Sequence, residues 1–304
     1  MTATRLQDLE TVEENGVDVQ DRGQGRRAHW TGERAVRRAC AGIAGACAVF
    51  AAVAIGIATA ATGTVYGYVS EAGAPGAPLR GLYRAGVYGV AIALAFFAAA
   101  IIALVREEDR RGTLLRSAAP GSPSRWAGVS RWAVGPAGVA LAFAAAAPLA
   151  ATSGAVSCTP GCPLPPFESP SQSDIVHALA SIGGFGLATG AMLLLAIGEA
   201  GAVGSSGPAG ATAEAAGATA EAVRTRDPLR AASRVSAGLL VPLLAITGLV
   251  MLVTGRGLLA GLLERAALGV ALGWLVTAAV TVTIRRPPDG AAAGRLSTAI
   301  RRRT

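Results

Sequence analysis

Residues 41–60 read AGIAGACAVFAAVAIGIATA and contain no charged side chain. In a helix that rises 1.5 Å per residue, about 20 apolar residues cross the hydrocarbon core of a bilayer. An amphipathic helix of a soluble domain would carry a polar face at a period of 3.6 residues, and this stretch has no such face. It therefore predicts a transmembrane helix.

Similar apolar blocks recur along the whole chain. Apolar residues make up 52% of the 304 residues and charged residues only 15%, against roughly 25% charged residues in soluble domains. The sequence predicts an all-α integral membrane protein, a bundle of six transmembrane helices between residues 40 and 284. The predicted spans are about 40–62, 83–105, 133–152, 175–197, 235–253 and 265–284.

Three polar segments lie outside these spans. Residues 1–39 mix acidic and basic side chains, residues 199–233 are mostly Ala, Gly and Glu, and residues 285–304 are rich in arginine. None has enough apolar residues to form a core. We predict a disordered tail at 1–39, a flexible linker at 199–233 and a basic tail at 285–304.

The distribution of basic residues predicts the orientation. All 27 Lys-plus-Arg positions are arginine, a bias typical of a GC-rich genome. With a cytoplasmic N-terminus, only Arg80, Arg84, Arg256 and Arg265 lie outside, which leaves 27 − 4 = 23 inside. This asymmetry predicts a plasma-membrane protein with both termini in the cytoplasm. Membrane orientation explains the arginines better than nucleic-acid binding does, so we expect no nucleic-acid partner.

Two cysteines lie in the connection between the third and fourth spans. Cys158 and Cys162 would face an oxidising space, where paired cysteines tend to form disulfides, and closing so short a loop contributes about 2 kcal/mol. The alternative is metal binding, but no cluster of histidines accompanies the pair. We predict a disulfide, no metal and no cofactor. Cys40 and Cys47, in the first span, are expected to act as small apolar residues.

Polar residues that could carry chemistry open the fourth span. Asp174, His177 and Ser181 follow at spacings of three and four and share one helix face. Asp174 stands where the helix needs an N-cap. A histidine about one turn inside the membrane is either a functional group that faces protein or water, or a structural residue held by Asp174 at the interface. Glu264 and Arg265, expected in the loop before the sixth span, could pair with this group if the fourth and sixth helices are neighbours.

Other residues allow weaker interpretations. Trp274, near the middle of the sixth span, is expected to pack rather than to serve as a ligand platform. Gly186 with Gly190, and Gly269 with Gly273, are spaced to let helices approach closely.

Several enzyme classes are disfavoured. The chain has two histidines, which excludes a three-histidine metal site within one copy. It contains no HExxH, GxSxG or phosphate-loop motif. A nucleophilic triad of Ser181, His177 and Asp174 is disfavoured because residues stacked along one helix rarely point at one another.

Three stretches resemble a family of bacterial six-span membrane proteins. They are residues 158–163 (CTPGCP), residues 174–180 (DIVHALA), and residues 261–265 (GLLER) leading to Trp274. The family is the domain-of-unknown-function family nine-nine-eight, and the resemblance covers about residues 40–284. It implies the six-span fold and points to His177, but it implies no reaction.

Three functions follow as hypotheses. The first is binding of a lipid, another hydrophobic small molecule or a partner membrane helix at an outward-facing polar site around His177. The second is a membrane-embedded enzyme acting on a lipid-like or isoprenoid substrate, with catalytic candidates His177, Asp174 and Glu264. The third is a small-molecule transporter. The candidate ligand-binding residues are His177, Asp174, Ser181, Glu264, Arg265 and Trp274.

Overall fold

A computed structural model of the chain describes residues 4–63, 66–117, 135–163, 165–197 and 228–285, with side chains from residue 32 onward and, in the second helix, up to residue 107. These residues form six α-helices and one 3₁₀ helix, with no strand among them. The α-helices are α1 (Thr4–Ala61), α2 (Arg80–Ser117), α3 (Pro136–Ala155), α4 (Gln172–Ile197), α5 (Pro228–Thr254) and α6 (Leu258–Ile284), and the 3₁₀ helix is Val69–Gly73. Each α-helix contains a segment long and apolar enough to cross a membrane. The prediction of a multi-pass, six-helix protein is confirmed at this level.

The helices begin earlier than several predicted spans. Helix α5 begins at Pro228 and α6 at Leu258, so Glu264 and Arg265 lie within α6 and not in the loop before it. The predicted fifth span begins after Arg234 and the sixth at Arg265. A long arginine side chain can nevertheless lie within a helix and reach polar partners near the interface. Residues 228–233 of the predicted linker belong to α5. The rest of that linker, 199–227, and the tail from 286 lie outside the described residues. Helix α1 includes residues 4–39 of the tail predicted at 1–39, and side chains are described there from residue 32.

The six helices form a closed ring in chain order. Each packs against the next, and α6 returns to α1. Aromatic side chains fill the centre of the ring, where the Phe97, Phe143 and Trp274 ring centroids are 5.3 to 5.6 Å apart. The Trp274 Nε1–H donates to Ser233 Oγ at 3.1 Å, which satisfies the indole donor inside the bundle. Trp274, with 2% of the residue exposed, is therefore packed inside the bundle.

Glycines allow close packing of α2 on α1. A Cβ at Gly86 would lie 2.7 Å from Ile55 Cγ1, so a side chain there would force the helices apart. The glycine pairs expected to mediate helix approach do not do so within this bundle. A Cβ at Gly186, Gly190, Gly269 or Gly273 would meet no atom within 4 Å. Gly186, Gly269 and Gly273 are exposed, and Gly190 is half-buried.

Arginines bind the C-terminal carbonyls of neighbouring helices. The last carbonyls of a helix lack intrahelical partners and carry partial negative charge, which a cation complements. Arg84 donates to Gly154 O (2.8 Å) and Ala155 O (3.0 Å) at the end of α3. Arg234 donates to Ala196 O (3.1 Å) at the end of α4. Arg37 donates to Val282 O and Arg285 O at the end of α6. Arg37 also lies 3.5 Å from Glu107 of α2. These contacts join α1 to α6, α2 to α3 and α4 to α5.

Candidate functional site

Three interhelical connections lie together at one end of the bundle. They are the α1–α2 connection (residues 62–63 and 66–79), the α3–α4 connection (156–163 and 165–171) and the α5–α6 connection (255–257), and we call these described residues the cap. The Arg256 guanidinium donates to Glu71 Oε2 at 2.6 Å, and the Ser70 hydroxyl donates to Cys162 Sγ at 3.4 Å. The α1–α2 connection is thus joined to each of the other two by a polar contact.

A disulfide lies in the middle of the cap. Cys158 and Cys162 are bonded, with Cα atoms 5.1 Å apart and only 2% and 6% of each residue exposed. They pack with Tyr68 and Ala74 of the α1–α2 connection and with Ala260 of α6. Burial disfavours the charged phenolate and so raises the pKa of Tyr68, and the nearby Glu264 carboxylate raises this pKa further. The disulfide therefore contributes to a small hydrophobic core within the cap.

Asp174 anchors the α3–α4 connection to the first turn of α4. Its carboxylate accepts hydrogen bonds from the Thr159 N–H (2.7 Å), the Ser171 N–H (2.8 Å) and both hydroxyls of those residues. Helix α4 begins at Gln172, so Ser171 is the N-cap and Asp174 is the third helical residue. The Ser171 hydroxyl in turn lies 3.3 Å from the Asp174 N–H. The prediction of Asp174 as the N-cap is therefore wrong by three residues. Ser171 is the N-cap, and Ser171 and Asp174 bond reciprocally as a capping box.

His177 binds the C-terminal end of α3. Its Nδ1 lies 2.8 Å from Val156 O and 3.0 Å from Ser153 O. Both carbonyls can only accept, so Nδ1 carries the hydrogen. The Ser153 hydroxyl lies 2.8 Å from the Ser181 hydroxyl, which adds a second polar contact between α3 and α4. With 6% of the residue exposed, these contacts favour the structural role over the functional one.

Glu264 and Arg265 contact the α1–α2 connection. Glu264 Oε2 accepts the Val69 N–H at 2.7 Å. Arg265 donates to Gly67 O at 3.1 Å and to Gly261 O at 2.8 Å. Helix α4 packs mainly on α3 and α5, and α6 mainly on α5 and α1, so the condition for pairing with Asp174 and His177 is not met. The predicted residues form two separate polar groups on different sides of the cap.

A groove lies between α1 and α6, and none of the sequence-based predictions includes it. Its volume is about 870 Å³, and it runs from the middle of the bundle to the cap. Two exposed valines of α1, Val49 (48% exposed) and Val53 (54%), form part of its wall. The lining residues are Val49, Ala52, Val53, Ile55, Gly56, Thr59, Ala60, Gly63, Val69, Arg265, Leu268, Gly269, Leu272, Gly273 and Val276. Of the candidate ligand-binding residues, only Arg265 lines it.

The groove exists because small residues meet on the two helices. Gly56 of α1 and Gly269 and Gly273 of α6 have no atoms within 4 Å of where a Cβ would be. The i, i+4 glycine spacing in α6 was the available signal. Spacing alone does not say whether a partner helix occupies that face, and open space lies there in place of the predicted helix contact.

Apolar side chains and glycines make up most of the groove lining, and Arg265 is its one charged lining residue. In the part of the chain that the structure describes, no three His, Cys, Asp or Glu residues are grouped so as to hold a metal ion. The chain matches no protein-family model, no curated protein and no solved structure.

Proposed function

We propose that this chain is a plasma-membrane protein, with both termini in the cytoplasm, that binds a lipid or a similar hydrophobic molecule in the groove between α1 and α6. One observation carries the proposal: an apolar groove of about 870 Å³ opens on the side of a bundle whose helices are suited to a bilayer. Ligand sites are concave, largely apolar and supplied with a few polar groups. Here the polar group is Arg265, at the cap end.

The proposed binding site is the α1–α6 groove, and His177 does not line it. Nδ1 of His177 is engaged by two backbone carbonyls, and the Asp174 carboxylate is engaged by the Thr159 and Ser171 donors. Those contacts fix the backbone of the cap, and they give the enzyme and transporter hypotheses no specific support. A lipid in the α1–α6 groove would use neither side chain.

Membership in the domain-of-unknown-function family nine-nine-eight is part of the same proposal. The three stretches that carry the resemblance, residues 158–163, 174–180 and 261–265, all contribute contacts to the cap. A shared cap is what such a resemblance would conserve in physical terms. The cytoplasmic orientation of the termini rests on the arginine distribution, with the cap on the outer side.

A matched pair of glycine variants tests lipid binding. The double variant Gly269→Leu/Gly273→Leu fills the groove, and the double variant Gly186→Leu/Gly190→Leu adds the same side chains to α4, outside it. A Cβ at any of the four positions meets no atom within 4 Å, so the two variants are matched at the point of attachment. Purified full-length chain is mixed with phosphatidylglycerol in detergent, and the bound fraction is measured by native mass spectrometry.

We expect the groove variant to bind about tenfold less lipid, since the loss of a well-packed chain costs at least 1.4 kcal/mol, and the α4 variant to match the wild type. Equal binding by both variants would overturn the proposal. So would conversion of a dimer to a monomer by the groove variant alone, because the groove would then hold a helix of a second copy.

A further inference from the structure

We infer that the molecule in the α1–α6 groove is a phospholipid of the leaflet on the cap side, with one acyl chain in the groove and its phosphate at Arg265. The inference rests on the proposed lipid binding and specifies which class of lipid is bound. It depends on three features of the groove: its length, its single polar end and the way in which Arg265 is held there.

The length of the groove fits one leaflet. On α6 the lining runs from Arg265 to Val276, a rise of 11 residue steps or about 16.5 Å at 1.5 Å per step. Half of the bilayer hydrocarbon core is about 15 Å. An acyl chain that enters at the cap end therefore reaches the bilayer midplane where the groove ends. A ligand that crosses both leaflets would extend beyond it.

The walls of the groove are apolar along that length. Apart from backbone, its polar lining atoms belong to Thr59 and Arg265. The Thr59 hydroxyl donates to Ile55 O at 2.7 Å within α1, so it is already engaged. A hydrocarbon chain with no polar group along its length suits such walls, whereas a sugar or a peptide would leave its own polar groups without partners.

Arg265 lies at the end where a headgroup would be. Its NH1 donates to Gly67 O in the α1–α2 connection and to Gly261 O in the preceding turn of α6. These bonds hold the guanidinium at the mouth of the groove, at the level of the cap. Guanidinium groups are weakly hydrated and match the geometry of phosphate oxygens. In the proposed orientation this level is the outer headgroup region.

The experiment that tests this inference compares three lipids built from the same type of acyl chain. Full-length protein is titrated with phosphatidylglycerol, with lysophosphatidylglycerol, which has one chain, and with diacylglycerol, which has no phosphate. We expect the two phosphate-bearing lipids to bind equally and diacylglycerol to bind about tenfold more weakly, the usual order for loss of one charged hydrogen-bonding partner. This comparison needs no variant, so it stands even if a substitution at Arg265 unfolds the cap.

Variants then assign the difference to Arg265. Arg265→Gln should lower the affinity for phosphatidylglycerol to that for diacylglycerol, and Arg265→Lys should retain part of the preference. Equal binding of all three lipids by the wild type, or a preference unchanged in Arg265→Gln, would overturn the phosphate assignment. Either result would leave the proposed function intact if Gly269→Leu/Gly273→Leu still reduces binding. If that groove variant bound each lipid as tightly as the wild type does, both the phosphate assignment and the proposed function would be overturned.

Discussion

Substitution of Asp174 by alanine should open the cap. The carboxylate holds two backbone N–H groups, those of Thr159 and Ser171, together with the hydroxyls of both residues. Only 2% of Asp174 is exposed, so water does not reach the vacated positions freely. The substitution therefore removes the acceptor and leaves its donors in place, which is the costly way to lose a hydrogen bond.

The magnitude follows from the exposure of the two donors. A buried donor without a partner costs roughly 1–3 kcal/mol. Ser171 is exposed, so its N–H can turn to water and contributes near the lower limit. Thr159 is only partly exposed and contributes toward the upper limit. Together they give a loss of about 2–4 kcal/mol in the free energy of unfolding, and Asp174→Asn, which keeps one oxygen acceptor, should lose about half of that.

The control is Glu168→Ala, which removes the same charge from an exposed residue of the same connection. Unfolding of the purified chain by sodium dodecyl sulfate in mixed micelles gives the global free energy. Hydrogen exchange of residues 156–174 reports opening of the cap itself. A free-energy loss in Asp174→Ala no larger than in Glu168→Ala, with unchanged exchange, would refute the anchoring role of Asp174.

Three further substitutions have expected outcomes in the same unfolding assay. Arg84→Lys should destabilise the protein by about 1 kcal/mol because a point ammonium cannot donate to both α3 carbonyls in the planar fork of arginine; equal stability would argue against this contact. Trp274→Phe should lower the free energy of unfolding by about 1 kcal/mol because it removes the bond to Ser233. Trp274→Ala should lower it by about 3–5 kcal/mol because it also removes the packing of the ring; equal losses would mean that the hydrogen bond and not the packing dominates. Burial favours the neutral phenol of Tyr68, so stability should fall as pH rises above its unfolded pKa of about 10, and Tyr68→Phe should reduce that fall; an unchanged pH profile would contradict it.

Much of the fold was accessible from the sequence because the bilayer imposes a simple rule. A spanning helix has to be apolar for about 20 residues, and that rule found all six helices. It placed the starts of α5 and α6 too late, since a rule based on charge cannot foresee that Arg234 binds Ala196 O or that Arg265 binds Gly67 O. Those partners are far apart in the chain.

The candidate site was less accessible. Asp174, His177 and Ser181 do lie together on α4, as their spacing indicates, but spacing does not reveal which helix lies opposite. The neighbour is α3, whose terminal carbonyls bind His177. The groove depends on the return of α6 to α1, a contact between opposite ends of the chain. No local pattern in either helix contains that information.

The closed ring also has a consequence for biosynthesis. Arg37 of α1 binds the carbonyl of Val282, 245 residues later in the chain. At a synthesis rate of 5–20 residues per second, α1 waits roughly 12 to 50 s for that partner to emerge. During this interval the α1 face that becomes half of the groove is exposed to the bilayer, and the ring is completed only when the last helix has entered the membrane.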